Sequence, residues 1–294
     1  LYSSTAGAAS MGDLNGDGSG ELDVVVSDFD GSVTAFGMDG RVLPGFPVHM
    51  NPDHVSEFLW GKFTPTEERF AEHGFFAQPV LVDLEGDGDL EIVVSGMDQW
   101  VYAWHHDGTA VMGWPVHVYN TAVPIGRNGR YDERILAPVT VAFLAGDNLP
   151  ELVVGTGELV NNTASSYLYA LDHRGNLAPG GPFVAGFPIL LSGFINEVLP
   201  YVGKGMPNAV AAADVDGDGL DEILAASMGG SIGRFDGQGR ETGDPSSVYG
   251  SRDYFGPESN TTESVVASLI NNPTVADLNM DGRLDVINGT AGLA

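Results

Sequence analysis

The stretch DVDGDGLDEILAA, from Asp214 to Ala226, places a carboxylate at every second position, then a glycine, and then an acid that opens an apolar run. Similar stretches are DLNGDGSGELDVVV at 13–26, DLEGDGDLEIVV at 83–94 and DLNMDGRLDVING at 277–289. A fifth, FLAGDNLPELVVG at 143–155, has Phe143 and Ala145 where the others have oxygen-bearing side chains. Five copies of one pattern indicate a repeat protein.

The five stretches begin 60 to 71 residues apart, and the same pieces surround each of them. Small and β-branched residues precede the acidic stretch, an apolar run and an alternating run follow it, and three units then contain a Gly-aromatic-Pro string. Four short strands per unit predict an all-β fold, a β-propeller of four-stranded blades. A parallel β-helix is the alternative, although its repeats are shorter. We expect a single domain over 1–294, with units at about 6–50, 74–118, 135–191, 206–248 and 270–294.

The composition limits the classes of partner. The 294 residues include 40 acidic residues against 12 Lys and Arg, and the net charge of −28 argues against binding nucleic acid or anionic lipid. No apolar run approaches the roughly 20 residues that a membrane-spanning helix needs, so membrane insertion is not expected. The chain has no cysteine, which mildly favours a bacterial exported protein or a cytosolic one.

The acidic stretches have the chemistry of a calcium loop. In the spacing DxDxDGxxD, side chains at positions 1, 3 and 5 project oxygens into one small volume, and glycine at position 6 permits the sharp turn. Position 7 can offer its backbone carbonyl, and the acid at position 9 closes the cage. Hard oxygen ligands in this number suit Ca²⁺. A solvated Asp-Gly turn would explain one such stretch, but not four in phase.

The candidate ligands follow from these positions, with three to four calcium sites of structural role expected. They are Asp83, Glu85, Asp87, Asp89 (carbonyl) and Glu91; Asp214, Asp216, Asp218, Leu220 (carbonyl) and Glu222; Asp277, Asn279, Asp281, Arg283 (carbonyl) and Asp285; and Asp13, Asn15, Asp17 and Ser19. The last stretch contains two extra residues, so both Glu21 and Asp23 are possible closing acids. The stretch at 143–155 has lost positions 1 and 3, and no calcium is expected there.

These units resemble the FG-GAP (or VCBS) repeats of integrin α-subunit propellers and of bacterial exported proteins. The resemblance covers nearly the whole chain. It implies a propeller, commonly seven-bladed, with Ca²⁺ in the loops that join the first and second strands of a blade. The fifth unit ends after its second strand, so we expect about four and a half blades of a seven- or eight-bladed propeller, completed by a missing segment or a partner chain. An extracellular, cell-surface or periplasmic location, in a bacterium, follows from the same resemblance.

A recognition surface is expected opposite the calcium loops. In an up-and-down blade, the connections between units share the end opposite the first loop, and long insertions at 51–74, 119–134, 192–205 and 249–270 fall there. Aromatic and basic side chains on long loops are typical of protein or glycan recognition. The candidates for this ligand face are Trp60, Arg130, Tyr131, Arg134, Tyr201 and Tyr254.

No catalytic motif stands out, so the first hypothesis is a non-catalytic recognition or adhesion module for glycan or protein. A polysaccharide lyase-type enzyme is an alternative, because rhamnogalacturonan lyases also use calcium-bearing propellers. Such an enzyme needs a basic residue to handle a uronate carboxylate, and Arg127, Arg130 and Arg134 form the only basic cluster. A structural segment of a larger surface assembly is the third possibility.

Overall fold

The computed structural model of the chain describes residues 7–54 apart from 17 and 19, and residues 74–120, 135–158, 167–190, 204–205, 208–226, 232–242 and 272–287. Apart from two short 3-10 turns at Pro52–His54 and Gly175–Leu177, these residues contain no helix. They form two compact units. Unit 1 comprises Leu1–Val139 and Asp172–Pro182, and unit 2 comprises Thr140–Leu171 and Phe183–Ala294.

Unit 1 contains two four-stranded sheets. Sheet 1 consists of β1 (Ser10–Gly12), β2 (Asp23–Ser27), β3 (Ser32–Phe36) and β4 (Val48–His49), and sheet 2 of β5 (Val80–Val82), β6 (Glu91–Ser95), β7 (Trp100–Trp104) and β8 (Val116–His117). Every pair of neighbours is antiparallel and consecutive in the chain. In sheet 1, for example, Val25 pairs with Ser10 on one side and Ala35 on the other.

Unit 2 repeats this arrangement. Sheet 3 consists of β9 (Thr140–Ala142), β10 (Glu151–Gly155), β12 (Tyr167–Leu171) and β13 (Ile189–Leu190), while β11 (Gly157–Glu158) pairs separately with β14 (Lys204–Gly205). Sheet 4 contains β15 (Ala211–Ala213), β16 (Glu222–Ala226) and β17 (Ile232–Phe235), and sheet 5 contains β18 (Thr274–Ala276) and β19 (Asp285–Ile287). The predicted all-β fold of four-stranded, up-and-down sheets is therefore confirmed.

The second strands of sheets 2 and 3 are fully buried, and their sequences explain why. All five residues of β6 (EIVVS) and of β10 (ELVVG) are buried, since neighbours cover both faces of the strand. A strand covered on both faces reads as a continuous apolar run rather than an alternating one. The core of unit 1 is centred on Phe75, whose ring lies edge-on to Tyr102 and Trp104 at 5.7 and 6.3 Å.

Glycine pairs join neighbouring sheets at the turn after the third strand. Gly45, in the first Gly-aromatic-Pro string, has φ +89°, and a Cβ there would overlap the carbonyl oxygen of Asp107 in sheet 2. Reciprocally, a Cβ on Gly108 would lie 2.6 Å from the Gly45 carbonyl oxygen. The pair Gly113–Gly175 within unit 1 and the pair Gly186–Gly239 within unit 2 repeat this close approach. The strings therefore contain glycine because backbone lies against backbone at this point.

Candidate metal-binding loops

Loops 1 to 5 are defined as the connections between the first and second strands of sheets 1 to 5, and loops 2, 4 and 5 share one hydrogen-bonded backbone shape. In loop 2 the carboxylate of Asp83, at position 1, accepts hydrogen bonds from the backbone N–H groups of Gly86 at 2.6 Å and Gly88 at 2.9 Å. Asp214 does the same in loop 4 with Gly217 and Gly219, at 2.6 and 3.0 Å. In loop 5, Asp277 accepts from Asp281 and Gly282 at 3.0 and 2.8 Å. The loop thus curls around its first carboxylate.

The acid at position 9 fixes the start of the same loop. Glu91 accepts a hydrogen bond from the backbone N–H of Leu84, at position 2, over 2.8 Å. The equivalent bonds are Glu151 to Leu144 at 2.8 Å, Glu222 to Val215 at 3.0 Å and Asp285 to Leu278 at 3.0 Å. Burial raises the pKa of Glu91 and of Glu222 above the usual value for a glutamate, and the backbone N–H donors offset only part of that rise. Loop 3 keeps the bond without acids at positions 1 and 3, so the closing acid has a structural role of its own.

This bond distinguishes the two possible closing acids of loop 1. Asp23 accepts from the Leu14 N–H at 3.3 Å, as the position-9 acids do elsewhere, whereas the neighbouring Glu21 is exposed. Asp13 accepts from the Gly18 N–H at 3.1 Å, so its carboxylate has the position-1 role. Asp17 and Ser19, two further predicted ligands, lie outside the described residues.

Loop 4 brings three predicted ligands together. Asp214, Asp216 and Asp218 each place one carboxylate oxygen within 4.8 Å of the others. Three anionic groups at this separation repel one another, and a divalent cation with oxygen preference neutralises them. Ca²⁺ takes six to eight oxygens at about 2.3–2.6 Å, and carboxylates on a short curled loop fit that demand. Loop 4 therefore fits calcium by its donor set.

An arginine that the sequence pattern did not single out lies against the same loop. The Arg234 guanidinium, on β17, places Nη2 2.8 Å from an Asp216 oxygen and 3.4 Å from an oxygen of the closing acid Glu222. It compensates part of the charge at positions 3 and 9. Only the pairing of β16 with β17 brings Arg234 there, so the loop sequence carried no signal for it.

In loop 2 a histidine occupies the corresponding place. His105, directly after β7, has Nδ1 3.2 Å from Glu91 Oε1 and 3.8 Å from Glu85 Oε2. Ligand atoms of these three residues lie within 4.8 Å of one another. From sequence, the ordinary interpretation of His105-His106 is a turn. That turn exists, with Gly108 N–H donating to the His105 carbonyl at 2.9 Å, but the His105 side chain also faces the loop.

The remaining loops differ in their ligands. In loop 5 the side-chain oxygen of Asn279 accepts from the Asp281 N–H at 2.9 Å, and Asp281 in turn accepts from the Arg283 N–H at 2.9 Å. In loop 3 the Phe143 N–H donates to Asp221 of loop 4 at 2.9 Å, and the Phe143 side chain is exposed. Phe143 and Ala145 offer no side-chain oxygen at positions 1 and 3.

The predicted ligand-face residues Trp60, Arg130, Tyr131, Arg134, Tyr201 and Tyr254 all lie outside the described residues. The structure does describe where two of the insertions leave sheets 1 and 2. Because β5 to β8 alternate in direction, the turn between β6 and β7 and the residues after β8 lie at the end of sheet 2 opposite loop 2. We call this the insertion end.

A column of stacked rings stands at the insertion end. The Trp100 indole is stacked against two imidazoles that are nearly parallel to it, with ring centroids 3.7 Å from His54 and 4.6 Å from His117. His117 in turn lies 4.6 Å from the ring of Tyr119. These aromatic side chains come from a 3-10 turn, a strand start and a strand end, so their proximity was not predictable from spacing.

A buried hydrogen-bond network supports this column. Tyr102 Oη donates to the buried carboxylate of Asp98 at 2.5 Å, and His54 Nδ1 lies 2.9 Å from Tyr102 Oη. Burial lowers the pKa of His54, so the ring is neutral and Nδ1–H is the donor in this contact. The Asn51 side-chain amide then donates to His54 Nε2 over 3.1 Å. Burial and the Asp98 charge raise the pKa of Tyr102, which keeps its hydroxyl protonated.

Replacing Tyr102 by phenylalanine is expected to lower the free energy of unfolding by about 2 kcal/mol, because the buried Asp98 carboxylate loses a donor. Urea denaturation of the single and double variants with Asp98→Asn forms a double-mutant cycle. We expect the Tyr102→Phe loss to shrink when Asp98 is already neutral. Strictly additive losses would contradict the hydrogen bond as the source of the effect.

Comparison with known protein families identifies one of the repeat units. Residues 206–241, which contain loop 4 and β15 to β17, match the family model described as the FG-GAP repeat. No curated protein matches the chain in sequence. The family match confirms the predicted resemblance to FG-GAP repeats, and the C-terminal domain of PilY1, a structure with a TM-score above 0.5, supports the β-propeller fold.

Three solved structures illustrate the likeness. The C-terminal domain of PilY1 from Pseudomonas aeruginosa has a TM-score of 0.52 and 19% identity, over 92% of this chain and 52% of that one. BBS1N in complex with ARL6DN has a TM-score of 0.48 and 14% identity, over 83% of this chain and 57% of that one. BamB from Moraxella catarrhalis has a TM-score of 0.44 and 14% identity, over 81% of this chain and 51% of that one. The chain thus spans little more than half the length of each.

Within the described residues, no helix is long and apolar enough to span a membrane.

Proposed function

We propose that this chain is an exported, calcium-stabilised β-propeller module that recognises a protein partner at its insertion end. The convergence of Asp214, Asp216 and Asp218 in loop 4 is the observation that carries the calcium part of this proposal. The same curled backbone in loop 5 supports more than one calcium site. The recognition part rests on the rings and histidines that gather at the opposite end of sheet 2.

The ligands proposed for calcium are those at positions 1, 3, 5 and 9 of loops 1, 4 and 5, with a carbonyl from position 7. An ion there neutralises packed carboxylates and fixes the loop that leads into the second strand of the sheet. Its contribution is structural, because the position-1 and position-9 carboxylates are already committed to backbone N–H groups of the same loop. Loop 3, for which no calcium is proposed, retains the hydrogen bond from the position-2 N–H to the closing acid.

Calcium dependence also supports an exported location. Loops of this kind in extracellular modules bind Ca²⁺ with dissociation constants of about 10⁻⁴–10⁻³ M, which extracellular calcium can saturate. We therefore place the chain outside the cytoplasm, at the cell surface or in the periplasm.

A protein partner suits the described part of the insertion end better than a glycan. Sugar rings stack on the open face of an indole or phenol, but the Trp100 indole is already stacked against two imidazoles, those of His54 and His117. The column instead presents ring edges, imidazole nitrogens and the half-buried Tyr119. Mixed polar and aromatic groups of this kind are typical of the centre of a protein interface.

Site-specific photo-crosslinking tests the recognition surface. A photoreactive phenylalanine analogue replaces Tyr119 at the insertion end or, as the control, the exposed Met112 in the turn between β7 and β8 at the opposite end. With surface proteins of the source cell as probe, we expect one crosslinked species from position 119 that excess unlabelled chain suppresses, and none from position 112. Equal crosslinking from both positions, or none from either, would refute the proposal. Binding to immobilised polysaccharides with no crosslinked protein would make the ligand a glycan.

A further inference from the structure

We propose that loop 2 binds Zn²⁺ through His105, Glu91 and Glu85, and is therefore not a further copy of the calcium loops. The inference refines the proposed calcium function for this one loop and rests on that proposal for the comparison with loops 4 and 5. The zinc site itself rests on the geometry of three side chains from two different parts of sheet 2.

The separations between the ligand atoms match a shared small ion. Two ligand atoms each about 2.1 Å from one zinc ion, at a tetrahedral angle, lie about 3.4 Å apart. His105 Nδ1 is 3.2 Å from Glu91 Oε1 and 3.8 Å from Glu85 Oε2, on either side of that value. A metal ion bound here takes the place of the direct contact between Nδ1 and the Glu91 carboxylate, because a ligating nitrogen must carry no proton.

The donor set favours zinc over calcium. Ca²⁺ is bound by oxygen ligands, whereas an imidazole nitrogen with two carboxylates is a common ligand set for Zn²⁺. The Glu91 side chain is fully buried, and its Oε2 is fixed by the Leu84 N–H at 2.8 Å. Its other oxygen, Oε1, is therefore held towards His105. His105 is mostly buried and Glu85 is more exposed, which leaves the site open to an ion from solvent.

The same position in the other sheets shows that the histidine is a special feature of sheet 2. In sheet 1 it is Gly37, where a Cβ would lie 3.9 Å from the closing acid Asp23, so this position faces the closing acid. In sheets 3 and 4 it is Asp172 and Asp236, which cap their own turns through the N–H groups two residues on. In sheet 2, Asp107 caps the turn instead, through the Thr109 N–H at 2.9 Å. The His105 ring is thereby released from the turn and directed at loop 2.

In sheet 4, the acids at positions 3 and 9 of the loop contact an arginine instead of a histidine. Positions 3 and 9 of loop 4, Asp216 and Glu222, are joined by the Arg234 guanidinium. A guanidinium is always protonated and cannot ligate a metal, whereas an imidazole can. Loop 4 thus offers a metal the acids at positions 1, 3 and 5, and loop 2 offers positions 3 and 9 together with a nitrogen.

The test uses the whole chain with calcium present at about 2 mM, so that calcium loops are filled. Isothermal titration with Zn²⁺ measures affinity and stoichiometry, and Co²⁺ serves as a spectroscopic substitute whose visible absorption reports nitrogen ligation and low coordination number. The variant is His105→Asn. The matched control is His106→Asn, because His106 is the adjacent histidine and its Nδ1 lies 3.1 Å from Asp89 rather than facing the closing acid.

We expect one equivalent of Zn²⁺, weakened by about 100-fold or more in His105→Asn and by less than about 3-fold in His106→Asn. Glu85→Gln should weaken binding and leave circular dichroism unchanged, which separates ligand loss from unfolding. Absence of Zn²⁺ binding, binding unaffected by His105→Asn, or equal loss from both histidine variants would overturn the proposal. Calcium binding to loops 4 and 5, measured separately with Asp218→Asn and Asp281→Asn, tests the proposed calcium function, so the two failures are distinguishable.

Discussion

Replacing Gly45 by alanine is expected to lower the free energy of unfolding of unit 1 by about 3–4 kcal/mol, which is large for the addition of one methyl group. Two costs add. A non-glycine residue at φ +89° costs about 1–2 kcal/mol. The new Cβ also overlaps the Asp107 carbonyl oxygen, which is backbone and cannot move aside without displacing the neighbouring sheet.

Gly40→Ala is the matched control for this substitution. Gly40 belongs to the same sheet and has φ +75°, but a Cβ there meets no atom within 4 Å. Only the conformational cost remains, about 1 kcal/mol. Urea denaturation of both variants measures the difference. Equal losses would mean that the contact between the two glycine turns relaxes freely, and that the Gly-aromatic-Pro string recurs in this chain for another reason.

Removing calcium is expected to have the second large effect. A ligand that binds only the folded state stabilises it by about 2.7 kcal/mol per site at one hundred times its dissociation constant. With several loops filled, adding EDTA should lower the melting temperature by several degrees, and calcium should restore it. A melting temperature that EDTA leaves unchanged would contradict the calcium part of the proposed function.

Two substitutions locate this effect in particular loops. Asp218 of loop 4 accepts a hydrogen bond from the Leu220 N–H at 2.9 Å, and Asp147 of loop 3 accepts the same bond from Leu149 at 3.0 Å. Asparagine keeps the accepting oxygen in both, so the turn persists. In calcium at about one hundred times its dissociation constant, we expect Asp218→Asn to remove one site's share of calcium stabilisation, about 2.7 kcal/mol, and Asp147→Asn to remove none. An equal loss of calcium stabilisation in both variants would mean that calcium acts by general charge screening and not by binding in loop 4.

The parts of the fold that depend on local sequence were predictable. The acidic stretch, the small-residue strand before it and the apolar strand after it each have a pattern of their own, and β5, β6 and β7 lie where those patterns predict. The choice between Glu21 and Asp23 was not predictable, because it depends on which carboxylate reaches the Leu14 N–H once two extra residues are placed in the loop.

The side chains that modify each site are set by contacts across strands. His105 and Arg234 reach their loops from the third strand or its end, 14 and 12 residues after the closing acids Glu91 and Glu222. Nothing in the loop pattern marks such a residue. His54 is a stronger case, because a 3-10 turn places it on Trp100, 46 residues later. Sequence spacing identifies the repeat, whereas strand pairing determines how its copies differ.

The hydrogen bond between the closing acid and the second loop residue makes the metal an optional part of the repeat. Glu151 holds the start of loop 3 just as Glu91 holds loop 2, although loop 3 lacks two of the usual oxygen ligands. A copy can therefore change its oxygen ligands or lose some of them, as loop 3 has, while the strand that follows keeps its place. Such a repeat can diversify one loop at a time, and each copy can acquire its own cation without a new backbone.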